Sequence, residues 1–136
     1  VRRGANSKVE LLAKVPLFAG LSKRDLQRVA RIADEIDLRE GKQLISEGYS
    51  GREFFVLLDG NAEVRRKGRK VNTMSPGDFF GEIALLSDRL TTATVTTTEP
   101  SRVLVITRAS FKSLLRDEPA VQLKVLQALA DRVPAD

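Results

Sequence analysis

Residues 75–95 read SPGDFFGEIALLSDRLTTATV, and the reading of the whole chain turns on that stretch. Pro76-Gly77 marks a turn. Phe79 and Phe80 follow, and Gly81-Glu82 then leads into Ile83-Ala84-Leu85-Leu86. That apolar run covers only about one helical turn, too short to be a core helix in its own right. The glycine at its head lets another group approach the backbone closely. The first turn of a helix leaves N–H donors without intrahelical partners, and with the helix dipole these donors make a seat for a phosphate. Glu82, at the start of the turn, can accept hydrogen bonds from a sugar hydroxyl while standing clear of the anion. Thr91 and Thr92 return the chain to an alternating strand over 93–97.

Upstream, the pattern is helical and then β. Residues 1–5 read as a leader. From Ser7, the apolar residues Val9, Leu11, Leu12 and Val15 suit a short helix ending before Pro16. Ser22 is an N-cap with Asp25 three residues on, and Leu26, Val29, Ala30 and Ala33 recur at helical spacing. Strands follow around Ile36 and Leu38, over 43–46, at Phe54-Phe55-Val56-Leu57-Leu58, over 62–65 and over 71–74. Asp59-Gly60 reads as a hairpin turn, because both residues tolerate positive φ, and Lys67-Gly68 as a second turn. Glycine-punctuated strands at this spacing imply a sandwich or barrel.

Downstream, 102–107 is the last strand. Phe111, Leu114 and Leu115 mark a helix, and Asp117-Glu118-Pro119 breaks it. Pro119 can open the next helix as a first-turn residue. Val121, Val125, Leu126 and Leu129 form its apolar stripe, and Pro134 stops it.

The composition narrows the function. With 136 residues, 42% hydrophobic and 30% charged, the chain suits one globular domain, 1–136, ordered over about 9–131. No apolar run approaches the roughly 20 residues of a membrane span, and the start VRRGANSK lacks the apolar centre of a secretory leader. Cysteine and histidine are both absent. Disulfides, thiolate metal sites and the commonest acid–base catalyst are thereby excluded, so the expectation is a non-enzymatic protein without cofactor or metal, in the cytoplasm. The net charge of +5 admits nucleic acid as a partner, and Arg65-Arg66-Lys67-Gly68-Arg69-Lys70 is the clearest basic cluster. It falls on a hairpin tip, where a solvated turn is the simpler reading. One tyrosine and no tryptophan give little for stacking single-stranded bases.

The order GDFFGEIALL, a polar loop and then TATV resembles the phosphate-binding cassette of cyclic nucleotide-binding domains, of the catabolite-activator and protein-kinase-A regulatory-subunit type. The opening VPLFAGLS and the stretch EGYSGREFFVLLDGNAEV are similar to the same family, so the resemblance covers roughly residues 9–131. It implies a mostly β fold with flanking helices. The fold is a double-stranded β-helix, a jelly-roll-like barrel of about eight strands, with an N-terminal helical segment and two C-terminal helices. It also implies a ligand, cyclic AMP by default and cyclic GMP as the alternative. Glu82 would hold the ribose 2′-hydroxyl, the amides of Gly81, Ile83 and Ala84 the cyclic phosphate, and Thr92 would add a hydroxyl beside Ala93. The final helix would be the hinge that swings over the base; a helix packed permanently on the barrel or on a second copy is the alternative.

One position departs from the family. An arginine nine residues after the glutamate normally pairs with the phosphate, and Thr91 stands there; the nearest arginine, Arg89, comes two residues early. A hydrogen bond to a charged group contributes about 1.5–3 kcal/mol, so its loss weakens binding by about 10- to 150-fold. Two functions follow: a cyclic nucleotide sensor with weakened phosphate recognition, or a degenerate domain kept for protein contact or dimerisation. On the first, Thr91→Arg is expected to restore affinity. The partners implied are a cyclic nucleotide and a homodimer mate or fused effector domain, with no DNA-binding domain in this chain.

Overall fold

The unbroken apolar run Phe54-Phe55-Val56-Leu57 suits a strand covered on both faces. In the computed structural model, which describes residues 5–81 and 90–132, it forms the centre of β3 (Glu53–Asp59). β3 pairs antiparallel with β8 (Ser101–Thr107) and with β6 (Phe79–Phe80), and β8 pairs with β1 (Ala33–Leu38), giving the sheet order β1-β8-β3-β6. A second antiparallel sheet runs β2-β7-β4-β5, from β2 (Gln43–Ile45), β7 (Thr94–Thr97), β4 (Ala62–Arg66) and β5 (Arg69–Met74).

Alternation along the paired strands builds two cores. Phe55 lies opposite Val105 and Leu57 opposite Val103; these four face the second sheet and pack with Ala62, Met74 and Val95. Phe54 lies opposite Ile106 and Val56 opposite Leu104, and this face carries the helices. α1 (Ala5–Ala13), a 3-10 turn (Pro16–Phe18) and α2 (Lys23–Ile32) precede the sheets, and α3 (Arg108–Asp117) and α4 (Pro119–Arg132) follow them. Phe18, Val29, Phe111 and Leu114 fill this outer core, and the rings of Phe54 and Phe111 stack with centroids 4.2 Å apart. The layering is therefore helices, sheet, sheet, which is the jelly-roll-like architecture the sequence implies.

The Ser22 cap behaves as the sequence dictates, and Thr107 adds a second. Ser22 accepts the amide of Asp25 at 3.1 Å, and Thr107 accepts that of Ser110 at 3.3 Å to start α3. Ala33, read as helical, is the first residue of β1 instead; its amide still closes the helix by donating to the Val29 carbonyl.

Two further expectations are corrected. Asp59-Gly60 is not a hairpin turn, because β3 and β4 belong to different sheets. Only Gly60 of the two residues has positive φ, +91°, and a Cβ there would lie 2.8 Å from the Pro100 carbonyl oxygen. The tight hairpin is at Lys67-Gly68, where φ is +52° and +77°, as a two-residue turn between β4 and β5 demands. The second correction concerns the final helix. Val121 and Val125 are buried at 0% and 1% exposure, but Leu126 is 55% exposed and so lies off the buried stripe.

Helix α4 is fixed by more than its valines. Lys124 Nζ donates to the Pro16 carbonyl at 2.7 Å. Arg28 of α2 reaches the corner between α3 and α4, donating to Asp117 at 2.6 Å, Ser113 at 3.3 Å and Glu118 at 3.5 Å. The hydrogen bond and charge of Arg28 hold the Asp117 carboxyl below its ordinary range. Truncation before Val121 is therefore expected to destabilise the domain rather than release a lid. Burial of each valine contributes about 1.5–3 kcal/mol, and the truncated chain should show a lower Tm and dye-accessible apolar surface. A truncated domain that melts like the full chain would contradict this.

Candidate functional site

The space between the sheets is filled by side chains up to Phe55 and Phe80, whose rings stack at 5.2 Å. Beyond them, at the end where β3 begins, a cavity of about 210 Å3 opens. That volume is below the roughly 300–1,000 Å3 that encloses a drug-sized ligand, so it can take part of a nucleotide with the rest lying outside. Its walls come from three places: Leu44, Ile45 and Ser46 at the end of β2, the 49–53 segment, and Gly81 with Thr91 from the cassette.

Gly81 and Thr91 are the two sequence-predicted residues that the structure brings together here. Gly81 adopts φ +98°, and a Cβ on it would lie 2.7 Å from the Glu53 carbonyl oxygen. The close approach that the glycine permits is thus to the backbone of β3, which sets the cassette against the barrel. Thr92 is exposed, and its carbonyl accepts from Arg66 Nε at 3.1 Å; Ala93 is half-buried. Neither is among the lining residues. Glu82, Ile83, Ala84 and Arg89 lie outside the described residues.

Thr91 does more than line the cavity. Its amide donates to the Tyr49 carbonyl at 2.7 Å, and its carbonyl accepts from Gly48 at 2.8 Å. Its hydroxyl accepts from the Tyr49 amide at 3.1 Å and donates to the Ser46 carbonyl. An isolated bridge joins Ser50 to Leu90, and Thr94 Oγ1 accepts from the Glu47 amide at 3.0 Å. The 46–50 loop is therefore held to the strand after the cassette largely through threonine hydroxyls. An arginine at 91 would give up both hydroxyl bonds before gaining any phosphate contact, a cost that the sequence alone does not reveal.

The residues that sequence reasoning missed are in that loop. Tyr49, the single tyrosine of the chain, stands at the cavity 67% exposed, and Arg52 and Glu53 carry the two charges of the lining among the described residues. The signal available was Gly48 and Gly51 bracketing a polar loop. Among the described residues no three acidic side chains gather to hold a metal ion. In the basic hairpin, Arg65 pairs with Glu63 and donates to the Gly68 carbonyl at 3.0 Å, and the Lys67 amide donates to Glu47 at 2.9 Å. The tip is thus tied to its own sheet and to the cavity loop.

Comparison with known proteins places this geometry. The family described as "Cyclic nucleotide-binding domain" matches residues 35–118. The chain is 40% identical over 118 residues to a cAMP-dependent protein kinase regulatory subunit of Mycosarcoma maydis, covering 78% of this chain and 22% of that protein. It thus spans less than a quarter of that relative's length. Among solved structures it is similar to the catabolite activator protein of Thermus thermophilus, with a TM-score of 0.78 and 25% identity over 86% of this chain and 57% of the other. It is also similar to the regulatory subunit of a cAMP-independent protein kinase A from Trypanosoma cruzi bound to guanosine. There the TM-score is 0.79, with 26% identity over 88% of this chain and 44% of the other.

Thr91→Val isolates the hydroxyl, since it keeps the β-branch and the backbone bonds. Losing two hydrogen bonds at about 0.5–1.5 kcal/mol each should lower stability by about 1–3 kcal/mol in urea denaturation. The Tyr49 amide should exchange faster with solvent, while amides of β3 and β8 keep their relative protection. Unchanged exchange at Tyr49 would show that the hydroxyl does not hold the loop.

Proposed function

Because the chain belongs to the cyclic nucleotide-binding domain family, we propose that it is a regulatory sensor domain for a cyclic nucleotide, cyclic AMP first, with weakened phosphate recognition. The observation that carries this reading is the cavity that Gly81 and Thr91 share at the open end of the barrel. We assign the ribose 2′-hydroxyl to Glu82, the cyclic phosphate to the amides of Gly81, Ile83 and Ala84, and supporting polar roles to Thr92 and Arg89. The domain regulates rather than catalyses and needs no cofactor. The M. maydis relative is named a kinase regulatory subunit and is several times longer, which supports an effector or partner domain outside this chain.

A second reading, a fold kept for protein contact, draws on Leu123 and Leu126, which stand 57% and 55% exposed on α4. Isothermal titration with cyclic AMP, cyclic GMP and guanosine separates the two. Saturable heat with cyclic AMP is the expected result, and Glu82→Ala should weaken it by about tenfold or more, the loss of one bond to a charged acceptor. A 2′-deoxy ligand should lose affinity for the wild type and little more for Glu82→Ala. Silence with all three ligands, from a folded sample, leaves the protein-contact reading and discards the sensor.

A further inference from the structure

We infer that Arg52 is the residue that receives the ligand's anionic group, supplying from the 46–52 loop the positive charge that position 91 lacks. The inference rests on the cyclic nucleotide reading and names the phosphodiester as the group bound.

The cavity lining contains one cationic side chain among the described residues, that of Arg52. Its guanidinium makes no hydrogen bond or ion pair among those residues. Arg28, Arg65, Arg102 and Arg116, by contrast, each pair with a carboxylate. Arg52 is exposed, yet its backbone is anchored. Its carbonyl accepts from the Arg108 amide at 3.0 Å, Gly51 before it is buried, and Glu53 after it is paired with Thr107 in the sheet. A fixed backbone with an uncommitted head is the arrangement that costs least when a ligand fixes the side chain. The planar fork of arginine can then meet two phosphate oxygens together.

The neighbouring charges set the polarity. Glu53 shares the lining and, two residues from Phe55 on the same strand, faces the space between the sheets. Its carboxylate repels an anion, so the ligand's phosphodiester is seated toward Arg52 and away from Glu53. Thr91, with its hydroxyl spent on Ser46 and Tyr49, is then a positioning residue that holds the loop in which Arg52 sits.

The test is Arg52→Gln and Arg52→Lys, titrated with cyclic AMP and with uncharged adenosine at low and high salt. Both variants should keep the wild-type Tm, because the side chain is exposed. Arg52→Gln should lose about 10- to 150-fold in cyclic AMP affinity and most of its salt dependence. Adenosine should bind variant and wild type alike, however weakly, and Arg52→Lys should fall between. Undiminished cyclic AMP binding by Arg52→Gln overturns this inference alone and leaves the sensor reading standing. Equal losses for cyclic AMP and adenosine also overturn it, since Arg52 would then shape the cavity without reading charge. A wild type that cyclic AMP does not saturate overturns both.

Discussion

The antiparallel pairing of β3 with β8 is the contact on which the other elements depend. From Phe54 to Leu57 and from Val103 to Ile106 every side chain is buried, so both strands are covered on two faces. Their inward residues give the second sheet an apolar surface to close against. Their outward residues form the floor on which α2, α3 and the start of α4 rest. A sheet with only one covered face would support a sandwich or a helical layer. This one supports both, and that places the helices on the opposite side of the sheet from the inter-sheet core.

The cavity arises where this arrangement runs out. At the end of the barrel β2 is three residues long and its register with β7 shifts, so backbone pairing holds the 46–52 loop only in part. Hydroxyls take over: Thr91 and Thr94 bond the loop's backbone, and Glu47 reaches across to the β4–β5 turn. Such a region has few buried apolar contacts and belongs to the low-stability end of the fold, where ligand-binding segments are found. The shape of the cavity wall and the order of the loop are therefore coupled through the same few polar groups. Thr91 takes part in that coupling, while Arg52, the one positive charge of the lining among the described residues, stands on the loop itself.

Helix α4 shows the same division of labour on the other side. Val121 and Val125 lie in the outer core, and among the described residues none of the cavity's lining comes from this helix. In this structure the helix lies packed against the outer core. The Arg28 contacts to Ser113, Asp117 and Glu118 join α2 to the corner from which α4 departs, and the Lys124 bond to the Pro16 carbonyl ties α4 itself.

By itself the sequence determined most of the elements, the Ser22 cap and the family. Helical and strand periodicities, the Ser22 cap, the Pro119 start and the doubly buried run at 54–57 are all local. Each segment's burial leaves its own imprint on spacing and composition. Tertiary structure alone decided which segments face one another. Asp59-Gly60 looks like a hairpin in any window of sequence, yet it carries the chain from one sheet to the other, because β3 finds β8 and β6 as partners instead of β4. Leu126 fits a helical stripe, but the neighbouring elements cover the face of Val121 and Val125. Thr91 reads as a lost phosphate ligand until its hydroxyl is seen bonding Ser46 and Tyr49, and Arg52 reads as one more surface charge until it is placed in the same cavity. The partner of a polar group is set by chain crossings between residues far apart in sequence, and no local pattern records them.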